Sequence, residues 1–214
     1  MCAEGLDCRL LFVVDGSPDA SWDVVQRIAA EDRRVSGLRL SRNYGQHAAI
    51  LAGLDAIEAE WVAVMDADLQ DPPEVLPAMI RLLEANGGAV FGRRRGRYQS
   101  RMRMWTSRGF KTLLSWITGV PADVGTYLVM DARTADAIRG CAVRSPQIVV
   151  LAHHFARTTA FVPFDRPARA DGTSAYSAAG RLRAAVRSVR CAIECRQLPA
   201  ADSLISSSRS RFPV

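Results

Sequence analysis

The chain has 214 residues, 49% of them hydrophobic and 23% charged, with a net charge of +6. That composition supports an ordinary folded core and excludes an intrinsically disordered or collagen-like chain. No run reaches the ~18 apolar residues of a membrane-spanning helix, and Met1–Asp7 has neither the basic nor the apolar part of a secretory leader. Five cysteines, an odd number, point to free thiols in a reducing compartment rather than a disulfide framework. Lys111 is the only lysine, so the positive charge is almost all arginine, suited to phosphates on nucleotides or on an anionic surface. The expected location is cytoplasmic, peripheral at the inner face of the plasma membrane.

Strands and helices alternate along the first half. Leu10–Val14 is an apolar run ending at Asp15-Gly16-Ser17-Pro18, where Ser17 reads as an N-cap for a helix from Pro18 to Ala30. A short strand, Gly37–Leu40, leads into the loop Ser41-Arg42-Asn43-Tyr44-Gly45, and a helix is expected over Gln46–Glu58. Trp61–Met65 is apolar at every position, as in a strand covered on both faces. Helix Pro72–Ala85 then stops at Asn86-Gly87-Gly88, and Ala89–Phe91 is a fourth strand. Such alternation predicts an α/β fold with a mostly parallel sheet and helices on both faces. With no repeat and no linker, residues 1–195 are expected to form one domain, with 196–214 a disordered tail.

The second half is less regular. A basic stretch from Arg93 to Lys111 is interleaved with Met102, Met104, Trp105, Phe110 and Trp116. It fits an amphipathic helix on an anionic membrane surface, or a core helix with a charged outer face. It carries no recognisable nucleic-acid reader, so no nucleic-acid partner is expected. Thr126–Met130 and Ala160–Pro163 read as strands and Pro146–Phe155 as a helix, in which His153 and His154 have packing roles for want of a partner acid. Cys191 and Cys195 share a helical face, but no histidine lies near them in sequence to complete a zinc site.

The most specific stretch is Val64-Met65-Asp66-Ala67-Asp68-Leu69-Gln70-Asp71-Pro72-Pro73-Glu74. Two carboxylates one residue apart sit where a buried strand leaves its sheet, the place where open α/β sheets collect ligands. Together they suit Mg2+ or Mn2+, hard ions that share oxygen ligands with phosphates. Helix capping needs neither of them, since Asp71, with Pro72 and Glu74, fills that role. Asp-x-Asp after a strand also occurs in phosphatases of the haloacid dehalogenase type, with the first Asp as nucleophile. That pattern wants Thr or Ser close behind the second Asp, where this chain has Leu69-Gln70.

Taken in order, Phe12-Val13-Val14-Asp15-Gly16-Ser17-Pro18-Asp19, Leu40-Ser41-Arg42-Asn43-Tyr44-Gly45-Gln46, the Asp66 block, Asp123-Val124-Gly125 and the segment from Arg166 to Tyr176 resemble glycosyltransferase family 2. The likeness is to the branch of dolichol-phosphate mannosyltransferases and bacterial polyprenyl-phosphate glycosyltransferases, and it runs from about Leu10 to Arg190. The resemblance implies a GT-A fold and transfer of a sugar from a nucleotide-sugar donor, GDP- or UDP-linked, to a polyprenyl phosphate or another glycan acceptor. It implies nucleotide-sugar contacts from Asp15, Gly16, Ser17, Arg42, Asn43, Asp66, Arg166 and Arg169. Mg2+ or Mn2+ would sit on Asp66 and Asp68, and Asp68 or Asp123 would serve as the base for a hydroxyl acceptor. Departures are Val14 for the first of two paired acids, Ala175 for Lys before the late Tyr, Thr126 for Asp or Ser, and Leu128 for Arg. The chain also begins beyond the family's usual first strand. The alternative reading is a truncated or non-catalytic nucleotide-sugar-binding relative acting as an accessory protein.

Overall fold

A computed structural model describes residues 8–95, 115–121, 123–165 and 178–198. Its contacts group into two compact units, Met1–Glu58 and Ala59–Val214.

In the first unit, β1 (Leu10–Asp15) and β2 (Val35–Leu40) pair in parallel, from Leu10 opposite Val35 to Asp15 opposite Leu40. Helix α1 (Ser21–Glu31) joins them. It starts three residues later than the proline signal suggests, because Asp19 takes over the local donors. Asp19 Oδ1 accepts both the Ser17 hydroxyl and the Ser21 N–H, each at 2.9 Å, and the helix winds only beyond that turn. The helix approaches β2 closely at Gly37, where a Cβ would stand 2.6 Å from a Val25 methyl. Helix α2 (Gln46–Asp55) packs on β1 and ends three residues short of the expected Glu58.

Among the described residues, the second unit holds a four-stranded sheet in the order β3-β5-β4-β6. Its strands are β3 (Trp61–Val64), β4 (Ala89–Arg95), β5 (Val124–Asp131) and β6 (Thr159–Asp165). Strands β4 and β6 are parallel, as the alternation suggests, whereas β5 runs against both β3 and β4. The sheet is therefore mixed. The reversal has a local cause: the chain re-enters at the edge where β4 ends, with Arg94 N–H bonded to Asp123 O at 3.3 Å. Strand β5 forms the centre of the core. Tyr127, Leu128, Val129 and Met130 are buried there with Phe91, Met79, Ile138 and Leu151.

Among the described residues, the helices of this unit include α3 (Leu76–Asn86), α4 (Ala132–Gly140), α5 (Ile148–Phe155) and α6 (Ala178–Cys195). Helix α4 is absent from the sequence reading: it is amphipathic, but its buried face is made of small residues, with Ile138 the one large apolar side chain. Its start is set by Asp131, whose Oδ1 caps the Thr134 N–H at 2.8 Å while Oδ2 holds Gly88 N–H at 2.6 Å. One carboxylate thus begins a helix and ties it to the turn before β4. Helix α6 turns Ala185, Cys191, Ala192 and Cys195 inward, the two sulfurs 4.0 Å apart. Among the described cysteines, Cys8, Cys141, Cys191 and Cys195 are free thiols, and burial raises the Cys141 thiol to about 11. His153 packs toward Phe91 (centroids 6.4 Å) and His154 against Phe155 (4.9 Å), in line with packing roles. No helix among the described residues is long and apolar enough to cross a membrane.

Candidate functional site

Strand topology decides which residues meet. Val64 of β3 lies opposite Leu128 of β5, and β4 and β5 pair at Arg93 and Val124. Because β5 is antiparallel to both neighbours, its first residues lie at the edge where β3 and β4 end. That edge of the second unit carries Asp66, Asp68, Asp123, Thr126, Arg93 and Arg94.

The loop after β3 is braced from within. Asp66 N–H donates to Asp71 Oδ2 at 2.9 Å, Gln70 N–H donates to Asp68 Oδ1 at 3.1 Å, and Thr126 Oγ1 donates to Asp66 Oδ1 at 3.0 Å. Tyr127 OH reaches Pro72 O at 2.7 Å, and burial, reinforced by Asp71 and Glu74, raises the phenol well above its ordinary range. Asp66 and Asp68 are each half-buried, so both are held in place yet open to a ligand. The turn demands positive φ at Leu69, +60°.

Asp71 does not cap the next helix. It is fully buried, and its carboxylate supports the Asp66 backbone. The chain instead enters a 3-10 turn, Pro73–Val75, capped by Pro72 without a side-chain bond, and α3 follows. Pro72 moves the helix start downstream, leaving Asp71 to face back into the loop.

Asp123 forms an ion pair with Arg93, Oδ2 to Nε at 2.6 Å, with both side chains partly exposed. Next to it, a Cβ at Gly125 would stand 2.6 Å from Arg94 Nη2, so the missing side chain is what gives the Arg94 guanidinium its place. Sequence reading assigned Arg93 and Arg94 to a basic amphipathic stretch; they are the end of a strand. Thr126, read only as a departure from the family pattern, orients Asp66. No local signal marks either role, because the partners lie 30 and 60 residues away in sequence.

In the first unit, five of the expected residues come together at the end of β1 and in the loop after β2. Asp15 Oδ1 accepts Tyr44 N–H and Oδ2 accepts Gly45 N–H, both at 2.7 Å. Gly16 has φ +60°, and a Cβ there would be 2.3 Å from Arg42 C and 2.4 Å from Asn43 N. Only glycine lets these two segments touch. The Arg42 guanidinium lies 4.8 Å over the Tyr44 ring, and Tyr44 OH is 3.2 Å from Ser41 Oγ. Ser17 is engaged with Asp19 as described above. Arg166 and Arg169, like most of the basic stretch and Ala175, lie outside the described residues.

The profile of glycosyl transferase family 2 matches residues 2–148. The chain belongs to that family. Among its curated relatives is an undecaprenyl-phosphate 4-deoxy-4-formamido-L-arabinose transferase of Pseudomonas syringae pv. syringae, 41% identical over 179 residues, covering 81% of this chain and 53% of the relative. The Shewanella sediminis protein of the same name is 37% identical over 175 residues, 80% of this chain and 53% of the relative. The chain thus spans about half the length of the curated relatives it matches. Among solved structures, glucosyl-3-phosphoglycerate synthase from Mycobacterium tuberculosis, crystallised with phosphoglyceric acid, aligns with a TM-score of 0.54 at 16% identity. The alignment covers 89% of this chain and 69% of that one. It supports the α/β, GT-A-like fold expected of a family 2 member and nothing finer.

Proposed function

We propose that this family 2 chain transfers a sugar from a nucleotide-sugar, GDP- or UDP-linked, to a polyprenyl phosphate. The observation that carries the reading is the shared sheet edge: Asp66 and Asp68 at the end of β3, Arg93 and Arg94 at the end of β4. Carboxylates that hold a cation beside arginines that hold phosphate fit a reaction between a diphosphate and a phosphate. The names of the relatives supply the acceptor class, undecaprenyl phosphate.

Mg2+ or Mn2+ fits the donor set. No group of three or more His, Cys, Asp or Glu among the described residues forms a closed metal cage. Two carboxylates alone match an ion that takes its remaining ligands from phosphate and water. Asp66 and Asp68 would hold it, and it would offset the charge gathering on the departing diphosphate. The chain's own contributions are positional. Thr126 fixes Asp66, the Gln70 N–H fixes Asp68, and Arg93 and Arg94 attract the acceptor phosphate. A phosphate monoester has a second pKa near ~6 and is largely a dianion at neutral pH. Such a nucleophile needs little help from a base, which suits an Asp123 already engaged by Arg93. Access to a lipid acceptor places the protein peripherally at an anionic membrane face.

The test is transfer of labelled sugar from a panel of GDP- and UDP-sugars to polyprenyl phosphate with Mn2+, beside calorimetry of donor binding. Asp66→Asn and Asp68→Asn should abolish transfer in folded protein. Donor binding without turnover would replace this reading with the accessory one. Turnover untouched by either substitution would remove the metal site.

A further inference from the structure

Leu69 is 81% exposed, directly after Asp68. It is the sole non-glycine residue with positive φ among the described residues, at +60°. The conformation is imposed from both sides. Gln70 N–H bonds back across Leu69 to Asp68 Oδ1, and buried Asp71 grips the Asp66 N–H. Gly or Asn would sit there with less strain than a branched apolar residue. The chain therefore holds a hydrocarbon side chain in water, in a disfavoured backbone state, on the edge that carries its carboxylates and arginines. Strain kept in an over-determined loop at such a site points to use.

The chemistry of the two substrates distinguishes what that side chain meets. Along its reacting length a nucleotide-sugar presents phosphates and hydroxyls, with nothing for a leucine to bury. In a polyprenyl phosphate, hydrocarbon begins at the ester oxygen, next to the phosphate that Arg93 and Arg94 would draw in. We propose that Leu69 is a specificity-determining residue that packs on the first isoprene unit of the acceptor and selects phosphates carrying adjoining hydrocarbon. This inference rests on the reading of the protein as a polyprenyl-phosphate transferase.

Calorimetric titration of the whole chain with submicellar farnesyl phosphate, inorganic phosphate and Mn2+ tests it. Leu69→Asn keeps a residue that tolerates the turn and removes the apolar surface; Leu69→Met keeps the surface. Losing roughly half of a leucine's burial corresponds to about a five- to tenfold weaker affinity for farnesyl phosphate in Leu69→Asn. Leu69→Met should stay within about threefold, and inorganic phosphate and Mn2+ should bind all three proteins alike. Equal farnesyl phosphate affinity in wild type and Leu69→Asn, or no binding by either, overturns the proposal. So does a parallel loss of Mn2+ affinity, which would make Leu69 a prop for Asp68. Turnover of the wild type with an acceptor lacking hydrocarbon, and none with polyprenyl phosphate, refutes the polyprenyl-phosphate reading instead, and it is read in a separate assay.

Discussion

Replacing Asp15 with Asn exchanges one carboxylate oxygen for an amino group, and the consequence can be worked from two distances. Each oxygen accepts one backbone N–H, from Tyr44 and from Gly45, both at 2.7 Å. An amide can accept only one of them and turns its own donor toward the other. Hydrogen bonds to a charged acceptor contribute about 1.5–3 kcal/mol each, and the exposed Tyr44 bond belongs at the low end of that range. Loss of one bond and weakening of the other to a neutral bond come to about 2 kcal/mol, or roughly thirtyfold in an equilibrium constant. Amide hydrogen exchange reads this directly. Protection at Tyr44 and Gly45 should fall about thirtyfold, while amides of β4 and β5 keep theirs. If both loop amides keep their protection in a folded Asp15→Asn protein, Asp15 is not the clamp that shapes the Arg42–Gly45 loop.

Gly88 has φ +77°, and a Cβ there would fall 2.2 Å from the carbonyl oxygen of Thr158; Gly88→Ala should cost more than about 3 kcal/mol in a denaturation experiment. At Gly125 the obstructing atom is the mobile end of Arg94. Gly125→Ala should therefore change stability by less than about 1 kcal/mol yet cut transfer to the phosphate acceptor about tenfold through the displaced guanidinium. Thr126→Val removes the bond to Asp66 while preserving shape, and Mn2+ affinity measured by calorimetry should fall about tenfold. Burial holds His153 and His154 below their ordinary 6.5. The unfolded chain thus binds more protons in the window below that value, and stability falls as pH drops through it. His153→Gln should flatten the decline of the thermal midpoint between about pH 7 and pH 5; an unchanged slope would show that burial of His153 is not its source.

Features written in consecutive residues were legible in the sequence. The uninterrupted apolar run ahead of Asp66 announced the strand β3, although only Val62 of its four residues is buried. Glycines at 16, 45 and 87 fell where the chain needs positive φ. Helix starts were harder, because several polar residues compete for the same donors. Asp19 displaced Ser17 as the organiser of α1, and Asp71 left the helix altogether for the Asp66 backbone. Helix α4 escaped because its buried face is built from Thr134, Ala135, Ala137 and Gly140, with Ile138 the one large apolar residue among them. The direction of β5 and the pairing of Thr126 with Asp66 were beyond any local pattern, since long-range strand pairing has no signature in a window of neighbours.

The reversed strand also sets an order on biosynthesis. Among the described strands, β3 pairs only with β5, and β5 lies between β3 and β4. As the chain leaves the ribosome, β3 waits as an open edge while some sixty residues of later sequence are made. Through that interval apolar Trp61–Val64 lacks β5, its one pairing partner among the described strands, a condition that favours chaperone capture or pairing between nascent chains. The Asp66–Asp68 loop takes its final shape only after Thr126 has been translated and β5 has slid into the gap. Slow translation between Arg95 and Asp123 would lengthen that exposure, so the yield of folded protein should be sensitive to codon choice in the stretch between β4 and β5.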